Sequence, residues 1–360
     1  MSQPKVAIIW LCYNNLKHLP EVAASWAALS YPRELLTIYI LPAQSPDGIA
    51  DVVTRDILPQ SGKTLPKIVI INAANLGFAV NTNVGLAAAL KDGADYLYLQ
   101  NGDARLTPRT INEAVSLAKT SPLIGSVQSL VCYWHEEEKV NTSGGMIHPA
   151  GYAYARDNGR LKSSLNLRRG AQIAYSSGAA VLYTADALRQ VGLLEEGFFM
   201  YHEDVELGLR LCIAGYQNVL APSSLVYHDY LFAGRNPKKF AWMELYRWLV
   251  ILAYYRLATI ILLTPFLFCV ELGSWLLAAR GAGLKGKLYA YAELLKPRTW
   301  RLLFRLRRRA QSLRTVSDRT YLKLFTGRID DQEISSPLID HLINPTVDAI
   351  WRALRFIIVW

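Results

Sequence analysis

The sequence predicts an α/β fold over residues 1–235, a mostly parallel sheet flanked by helices, followed by a mainly helical, membrane-associating region over residues 236–360. Three observations predict it. Short β-branched and aromatic runs alternate with helix-periodic segments up to His228. Asn, Gly and Asp gather at the ends of those runs, where a parallel sheet carries its ligand-binding loops. After Asn236-Pro237 the composition turns abruptly apolar and aromatic, and then basic.

The elements follow in order. Residues 6–13 form an apolar run ending at Asn14 and Asn15, as a central parallel strand enters its carboxyl-end loop. The run is too short for a signal-peptide core with its flanks. Residues 16–29 read as a helix closed by Tyr31-Pro32. Residues 35–41 give a second strand, PAQSPDG (42–48) a loop, 49–58 a helix, 67–71 a third strand, 79–90 a helix and 96–100 a fourth strand. Residues 107–119 read as a helix with Pro108 near its start, and 125–133 as a fifth strand. HEEEK (135–139) reads as a solvated loop. Residues 141–170, rich in Gly, Ser and Asn, read as a mobile loop over a pocket. Residues 174–192 give a strand and a short helix.

Composition bounds the function. With 52% hydrophobic and 19% charged residues in 360, the chain is apolar for a purely soluble protein, and membrane contact is expected. The net charge of +10 is uneven, with Arg301, Arg305, Arg307, Arg308, Arg309 and Arg314 crowded together. Such a cluster suits nucleic acid, anionic lipid or a phosphorylated substrate, or is a solvated helix face. No nucleic-acid motif of the usual kinds is present, so nucleic acid is not an expected partner. Cys12, Cys132, Cys212 and Cys269 have no paired spacing and read as small buried hydrophobes in a reducing, cytosolic compartment.

Several loops carry chemistry. Gly77 supplies backbone freedom and Asn75 tolerates unusual dihedrals, which a plain turn also explains. Asn81 and Asn83 stand on a predicted helix against their propensity, which favours hydrogen bonding to a ligand or a neighbouring loop. Asp103, after a strand and beside Asn101 and Gly102, suits a divalent cation that keeps waters and bridges phosphates; the alternative is a turn. Glu203 and Asp204 stand between Phe198, Phe199 and Tyr201 and a predicted helix ending at Gly215. Carboxylates there either cap the helix or perform acid–base chemistry. His228, after an apolar strand, is either structural or a ligand.

Together these stretches resemble family 2 of the glycosyltransferases, in particular its non-processive, rhamnosyltransferase-like branch, over residues 5–230. The residues that carry the resemblance are Tyr13-Asn14, Asn75-Leu76-Gly77-Phe78 with Asn81 and Asn83, Asn101-Gly102-Asp103, Ser177-Gly178-Ala179, Phe198-Phe199-Met200-Tyr201-His202-Glu203-Asp204, and His228. The resemblance implies a GT-A fold that moves a sugar, with inversion, from a nucleoside diphosphate sugar to an acceptor hydroxyl on a lipid-linked glycan of surface polysaccharide assembly. It implies Asp204 as the base, with Glu203 contacting the acceptor or orienting a neighbour. It implies Mg²⁺ or Mn²⁺ at Asp103 and His228. Donor contacts are expected from Tyr13, Asn14, Asn75, Gly77, Asn81, Asn101, Ser177 and Gly178, and His202 is expected to line the acceptor side. One position departs from the family pattern: Pro42 stands where the second strand normally ends in a nucleoside-gripping aspartate, leaving Asp47, Gln44 or the backbone to read the base.

In the carboxyl-terminal third, residues 257–270 form an apolar run of 14 between Arg256 and Glu271. That is short of the roughly 20 residues a spanning helix needs. Tolerating Glu271 would extend the run to Ala279, but a charge there is costly and Pro265 would kink the helix, so helices lying in the interface of the cytoplasmic membrane face are predicted over a spanning pair. In residues 285–314, Trp300, Leu303, Phe304 and Leu306 interleave with arginines, a pattern suited to an anionic bilayer surface, to steering a lipid-pyrophosphate acceptor, or to an oligomer or domain interface. The final apolar residues, Ile350 to Trp360, suit membrane or a partner chain. The reading is a membrane-associated glycosyltransferase. The alternatives are a catalytically inactive nucleotide-sugar-binding scaffold and a nucleotidyltransferase, for which CYNNLKHLP is a poor phosphate-binding loop.

Overall fold

The computed structural model describes residues 3–230, 237–279, 283–332 and 337–360, so the expected boundary near residue 235 lies outside the described residues. The first half alternates as predicted: β1 (Val6–Leu11), α1 (Leu19–Ala27), β2 (Leu36–Leu41), α2 (Ile49–Val52), β3 (Lys67–Ile70), α3 (Phe78–Lys91), β4 (Tyr96–Asn101), β5 (Ala104–Leu106), α4 (Thr110–Ala118) and β6 (Ile124–Tyr133). There follow β7 (Val140–Thr142), β8 (Gly145–Ile147), β9 (Ala153–Ala155), β10 (Gln172–Ile173), β11 (Ala180–Thr184), α5 (Ala185–Val191), α6 (Glu203–Ile213) and β12 (Gln217–His228).

The main sheet runs β10-β12-β6-β11-β4-β1-β2-β3. β1 is central because both its faces are apolar and buried, and it pairs in parallel with β2 and β4. From β1 the chain moves outward to β2 and β3 and then crosses to β4 on the other side. A crevice opens at such a switch point, at the carboxyl ends of the strands. β11 runs antiparallel to β4 and β6, so its first residues lie beside the last residues of β4. The Asn101 N–H donates to the Ala179 carbonyl at 3.0 Å, which brings Ser177 and Gly178 to the crevice rim. α1 packs Trp26 edge-on against Trp10, with ring centres 5.1 Å apart, and fixes the rim from below.

Residues 141–170 are not a mobile loop. They contain β7, paired with β6, and the β8-β9 ribbon, and they bury Asn141, Ser143, Ile147 and His148. Their polar composition misleads because the buried groups are satisfied internally. Arg156 Nε, for example, donates to Ser143 Oγ at 2.8 Å. Cysteine usage also differs in one place, since Cys269 is exposed while the other three are buried.

The carboxyl-terminal helices are α7 (Pro237–Tyr254), α8 (Leu257–Ala279), α9 (Gly283–Leu294), α10 (Pro297–Leu313), α11 (Asp318–Tyr321) and α12 (Asn344–Ile357). They share one core with α6, in which Phe198, Val205 and Leu209 meet Leu249, Leu263, Leu303, Leu306 and Trp351. The longer run, to Ala279, is the one that forms. α8 runs 23 residues through Pro265 and Glu271, and is the one helix among the described residues long and apolar enough to cross a membrane. Glu271 is tolerated because it is paired: Lys287 Nζ donates to it at 2.5 Å and to Glu244 at 2.8 Å, and Arg247 donates to both carboxylates.

The arginine cluster is not one solvated face. Arg305 and Arg309 each donate to Glu195, at 2.6 and 2.7 Å, and Arg309 also reaches Glu206 at 2.7 Å. Arg307 donates to the Leu252 and Tyr255 carbonyls, and Arg314 to Asp318. Arg301 and Arg308 are exposed. Glu206 is fully buried and also receives Arg210 Nη2 at 2.6 Å and the Tyr254 hydroxyl. Removing one partner of such a buried pair leaves an uncompensated charge, so Glu206→Ala is expected to cost about 3–5 kcal/mol. Arg308→Ala should stay within about 0.5 kcal/mol. Denaturant midpoints of the two variants check this.

Candidate active site

A cleft of about 900 Å³ opens at the rim where β1, β4 and β12 end and β11 begins. Tyr13, Asn14, Asn75, Gly77, Asn81, Asn101, Asp103, Ser177, Gly178, His202, Glu203, Asp204 and His228 all line it. Asp47 does not. Its carboxylate accepts the Leu16 N–H at 2.8 Å, the Ser45 hydroxyl at 2.7 Å and the Ile49 N–H at 3.2 Å, and so clasps the loop after β1 to the loop after β2. With those bonds made, Asp47 is not placed to read a nucleoside. Ala43, in a left-handed conformation with φ of 50°, is the residue of that loop on the cleft.

The Asn-rich loop divides its labour. Asn83 donates to the Leu194 carbonyl at 2.9 Å and accepts from the Leu194 N–H at 3.0 Å, holding the segment that leads to Phe198. Asn81 is buried on the cleft, and its Oδ1 has no hydrogen-bond partner among the described residues. Gly77, at φ of 101°, lies so close to Phe199 that a Cβ there would sit 2.7 Å from the Phe199 carbonyl oxygen, which no other residue type satisfies.

Asp103 and His228 converge from β4 and β12. His228 Nε2 lies 3.1 Å from Asp103 Oδ1, and its Nδ1 lies 3.2 Å from Asn141 Oδ1. His228 therefore faces an amide oxygen with one ring nitrogen and the Asp103 carboxylate with the other. Burial works to raise the Asp103 carboxyl, but the hydrogen bond and charge of His228 hold it below the usual range. One hard oxygen and one imidazole nitrogen fit Mg²⁺ or Mn²⁺. No third His, Cys, Asp or Glu joins them among the described residues.

Glu203 and Asp204 begin α6, after Tyr201 and His202 at φ of 68° and 65°. Two successive non-glycine residues in this region mark stored strain. Asp204 accepts the Val205 N–H at 2.8 Å and the Gly178 N–H at 3.2 Å, so it does take part in capping while still facing the cleft. Burial raises its carboxyl, and the backbone N–H groups oppose that. Glu203 is more deeply buried, its Oε2 has no partner among the described residues, and burial with the Asp204 charge pushes it up to about 8. Two backbone N–H groups favour the Asp204 anion, whereas burial and the Asp204 charge favour the protonated form of Glu203. Burial lowers His202 to about 4, so it is neutral.

The family described as Glycosyltransferase like family 2 matches residues 4–249. The chain belongs to that family. It is similar to the N-acetylglucosaminyl-diphospho-decaprenol L-rhamnosyltransferase of Mycobacterium tuberculosis, 27% identical over 248 residues covering 61% of this chain and 78% of the relative. It is also similar to the galactofuranosyltransferase GlfT1 of Mycolicibacterium smegmatis, 25% identical over 207 residues covering 54% and 67%. Among solved structures, a mannosyltransferase from Pyrobaculum calidifontis in complex with GDP-Man and Mn²⁺ superposes with a TM-score of 0.51 at 16% identity, over 99% of this chain and 83% of that one. TarS 1-349 of S. aureus in complex with UDP-GlcNAc superposes at 0.52 and 12% identity, over 98% and 90%. The fold is GT-A and the enzyme is a glycosyltransferase, which removes the nucleotidyltransferase alternative.

The structure of the glycosyltransferase also brings in residues that the sequence did not single out. Lys17 and His18 reach the cleft from the loop after β1, and both bond Asp229, at 3.1 and 2.8 Å. Their signal was a basic pair three residues after Tyr13-Asn14. Lys239 and Met243 of α7, and Gln332, line the cleft from the carboxyl-terminal third, and no local pattern marks them. Lys239 lies over the Tyr201 ring, 4.6 Å from its centre.

The Glu203 proton has a stability signature. The folded protein keeps it up to about pH 8 while the unfolded chain releases it above about 4.5, so the native protein loses stability as pH rises between those values. Glu203→Gln lacks this loss. Its melting temperature relative to the parent should climb from pH 4.5 to 8 and level beyond; a constant difference would make Glu203 an ordinary carboxylate.

Proposed function

We propose that the protein is an inverting glycosyltransferase that moves a sugar from a nucleoside diphosphate sugar to a hydroxyl of a glycan carried on a membrane lipid. The observation that carries this reading is the convergence of an anionic Asp204 and the Asp103–His228 pair on one cleft. The donors named in the GT-A complexes and the polyprenol-linked substrate named for the mycobacterial relative support the substrate classes.

The chemistry follows from the residues. The acceptor hydroxyl passes its proton to Asp204 as its oxygen attacks the anomeric carbon; the new C–O bond forms while the bond to the diphosphate breaks, and the nucleoside diphosphate leaves with inversion. Gly178 and Val205 N–H groups hold the Asp204 carboxylate in place, and Glu203, protonated, is available as a donor to the acceptor. A divalent cation, Mg²⁺ or Mn²⁺, held by Asp103 and His228 would neutralise charge on the departing diphosphate. Asn81, with its free amide oxygen, and Asn75, Asn101 and Ser177 supply polar contacts to the donor. With Asp47 committed to its clasp, base recognition falls to the backbone around Ala43.

The retained acid pair and metal pair favour catalysis over the scaffold reading. α8 supports membrane association. Its inner face is tied down through Glu271, while Leu257, Ile261, Phe268, Leu272 and Leu276 are exposed on the other, a one-sided apolar helix suited to the bilayer interface.

Asp204→Asn should lower turnover by about 10²–10⁴-fold, the range of a general base, with donor affinity nearly unchanged. Asp103→Ala should abolish the metal dependence of donor binding. Nucleoside diphosphate release and calorimetry with UDP-, GDP- and dTDP-sugars, with and without Mg²⁺ or Mn²⁺, test both. Donor binding without any release would favour the scaffold.

A further inference from the structure

A second cavity, of about 550 Å³, lies between α7, α9 and α10. Its wall on α7 is apolar, formed by Trp242, Leu245 and Leu249, and its rim on α10 is cationic, formed by Arg298, Arg301 and Arg305. Two of the cations are already committed: Arg298 pairs with Glu293 at 2.7 Å and Arg305 with Glu195 at 2.6 Å. Arg301 has no ion-pair partner among the described residues. A cavity that joins an apolar wall to an arginine rim calls for a ligand with both parts, an anionic head and a hydrocarbon tail.

The cavity is connected to the catalytic loop. Gly197 lines it directly. Tyr246, also in its wall, stacks on Phe198 with ring centres 4.2 Å apart and receives the Phe199 N–H at 3.1 Å. Trp242 touches Phe199, which lines the catalytic cleft on its other side. α7 therefore walls both spaces, with Trp242 and Tyr246 in one and Lys239 and Met243 in the other.

We propose that this groove binds the isoprenoid diphosphate of the acceptor, with Arg301 on the diphosphate and Trp242, Leu245 and Leu249 on the first isoprene units, so that the attached glycan passes the Phe198–Phe199 loop toward Asp204. The assignment rests on the transferase reading above, and it adds the part of the acceptor recognised away from the reacting hydroxyl. Guanidinium forks match diphosphate oxygens in pairs, and the apolar wall distinguishes an isoprenoid carrier from free nucleotide.

The test uses farnesyl diphosphate as the probe on the full chain, with binding followed by calorimetry. Losing a charge-assisted contact should weaken the probe about tenfold or more in Arg301→Glu. Arg308→Glu, the same charge change on the same helix but outside the groove, should leave it nearly unchanged. Farnesol and inorganic diphosphate should each bind more weakly than the joined molecule, and the probe should inhibit transfer competitively against acceptor and not against donor. Equal effects of the two arginine variants, no effect of Arg301→Glu, displacement of the probe by nucleoside diphosphate, or equal displacement by anionic phosphatidylglycerol vesicles would each overturn the assignment. Nucleotide-sugar binding and nucleoside diphosphate release, measured on the same samples, separate the two readings: if both persist, the groove alone has failed, and if both are absent the transferase reading has failed.

Discussion

The buried carboxylate of Glu206 is the contact on which the active end of the molecule depends. It lies one turn after Glu203 on α6 and is held by Arg210 of the same helix, Arg309 of α10 and Tyr254 of α7. Desolvating these charges costs several kcal/mol per ion, so the arrangement is stable only with every partner present. That requirement fixes the rotation and axial position of α6, and with them the direction in which Glu203 and Asp204 leave its first turn. Arg309 also holds Glu195, which accepts the Gly197 N–H at 3.0 Å at the start of the Phe198–Phe199 loop. The sheet supplies the crevice, but the helices of the carboxyl-terminal third aim the carboxylates into it.

The same neighbourhood decides which carboxylate does what. Two adjacent acids in a poorly hydrated site do not both ionise, and the environment selects between them. Asp204 receives two backbone N–H groups, whereas one oxygen of Glu203 lacks any partner among the described residues and His202 beside it is neutral. The left-handed turn at Tyr201 and His202 makes this asymmetry possible, because it brings the chain into α6 with Asp204 facing Gly178. Such conformations cost about 1–3 kcal/mol each, and neighbouring contacts offset the cost. These include the Phe198–Tyr246 stack and the Lys239 ammonium over Tyr201.

What was legible in the sequence follows from how each part is held. β1, β2 and β4 match their predicted spans to within two residues because strands buried on both faces show an unbroken apolar run. The cleft residues were legible because short motifs sit at the carboxyl ends of those strands, where topology gathers them whatever the loops do. The arginine stretch left a membrane surface and a domain interface undecided because its partners, Glu195 and Glu206, lie about a hundred residues away, and helical periodicity reports only that a face is basic. Asp47 misled for a related reason. Its environment is set by Leu16 and Ser45, and a loop carboxylate that satisfies backbone donors looks, in sequence, like one waiting for a ligand. Residues 141–170 were unreadable because their order comes from pairing with β6 and from buried polar groups, neither of which leaves a hydrophobic period.

The apolar stripe of α8 and the second cavity belong to one arrangement. α8 packs on α9 through the Glu271–Lys287 pair, and α9 contributes Tyr289 and Glu293 to the cavity wall. A surface suited to the bilayer interface is therefore separated by a single helix from a space suited to a lipid head. Because Glu271 is bound to Arg247 and Lys287, surrounding α8 with lipid on all sides would strand two cations and two carboxylates in hydrocarbon, at a cost no hydrophobic stripe repays. In the proposed membrane-associated reading the helix gives only one side to the bilayer, which would set the cavity at the boundary between bilayer and water. On the proposed function, an acceptor whose tail remains in the bilayer would have a short path to the loop that leads to Asp204, whereas a soluble glycan would gain nothing from the groove.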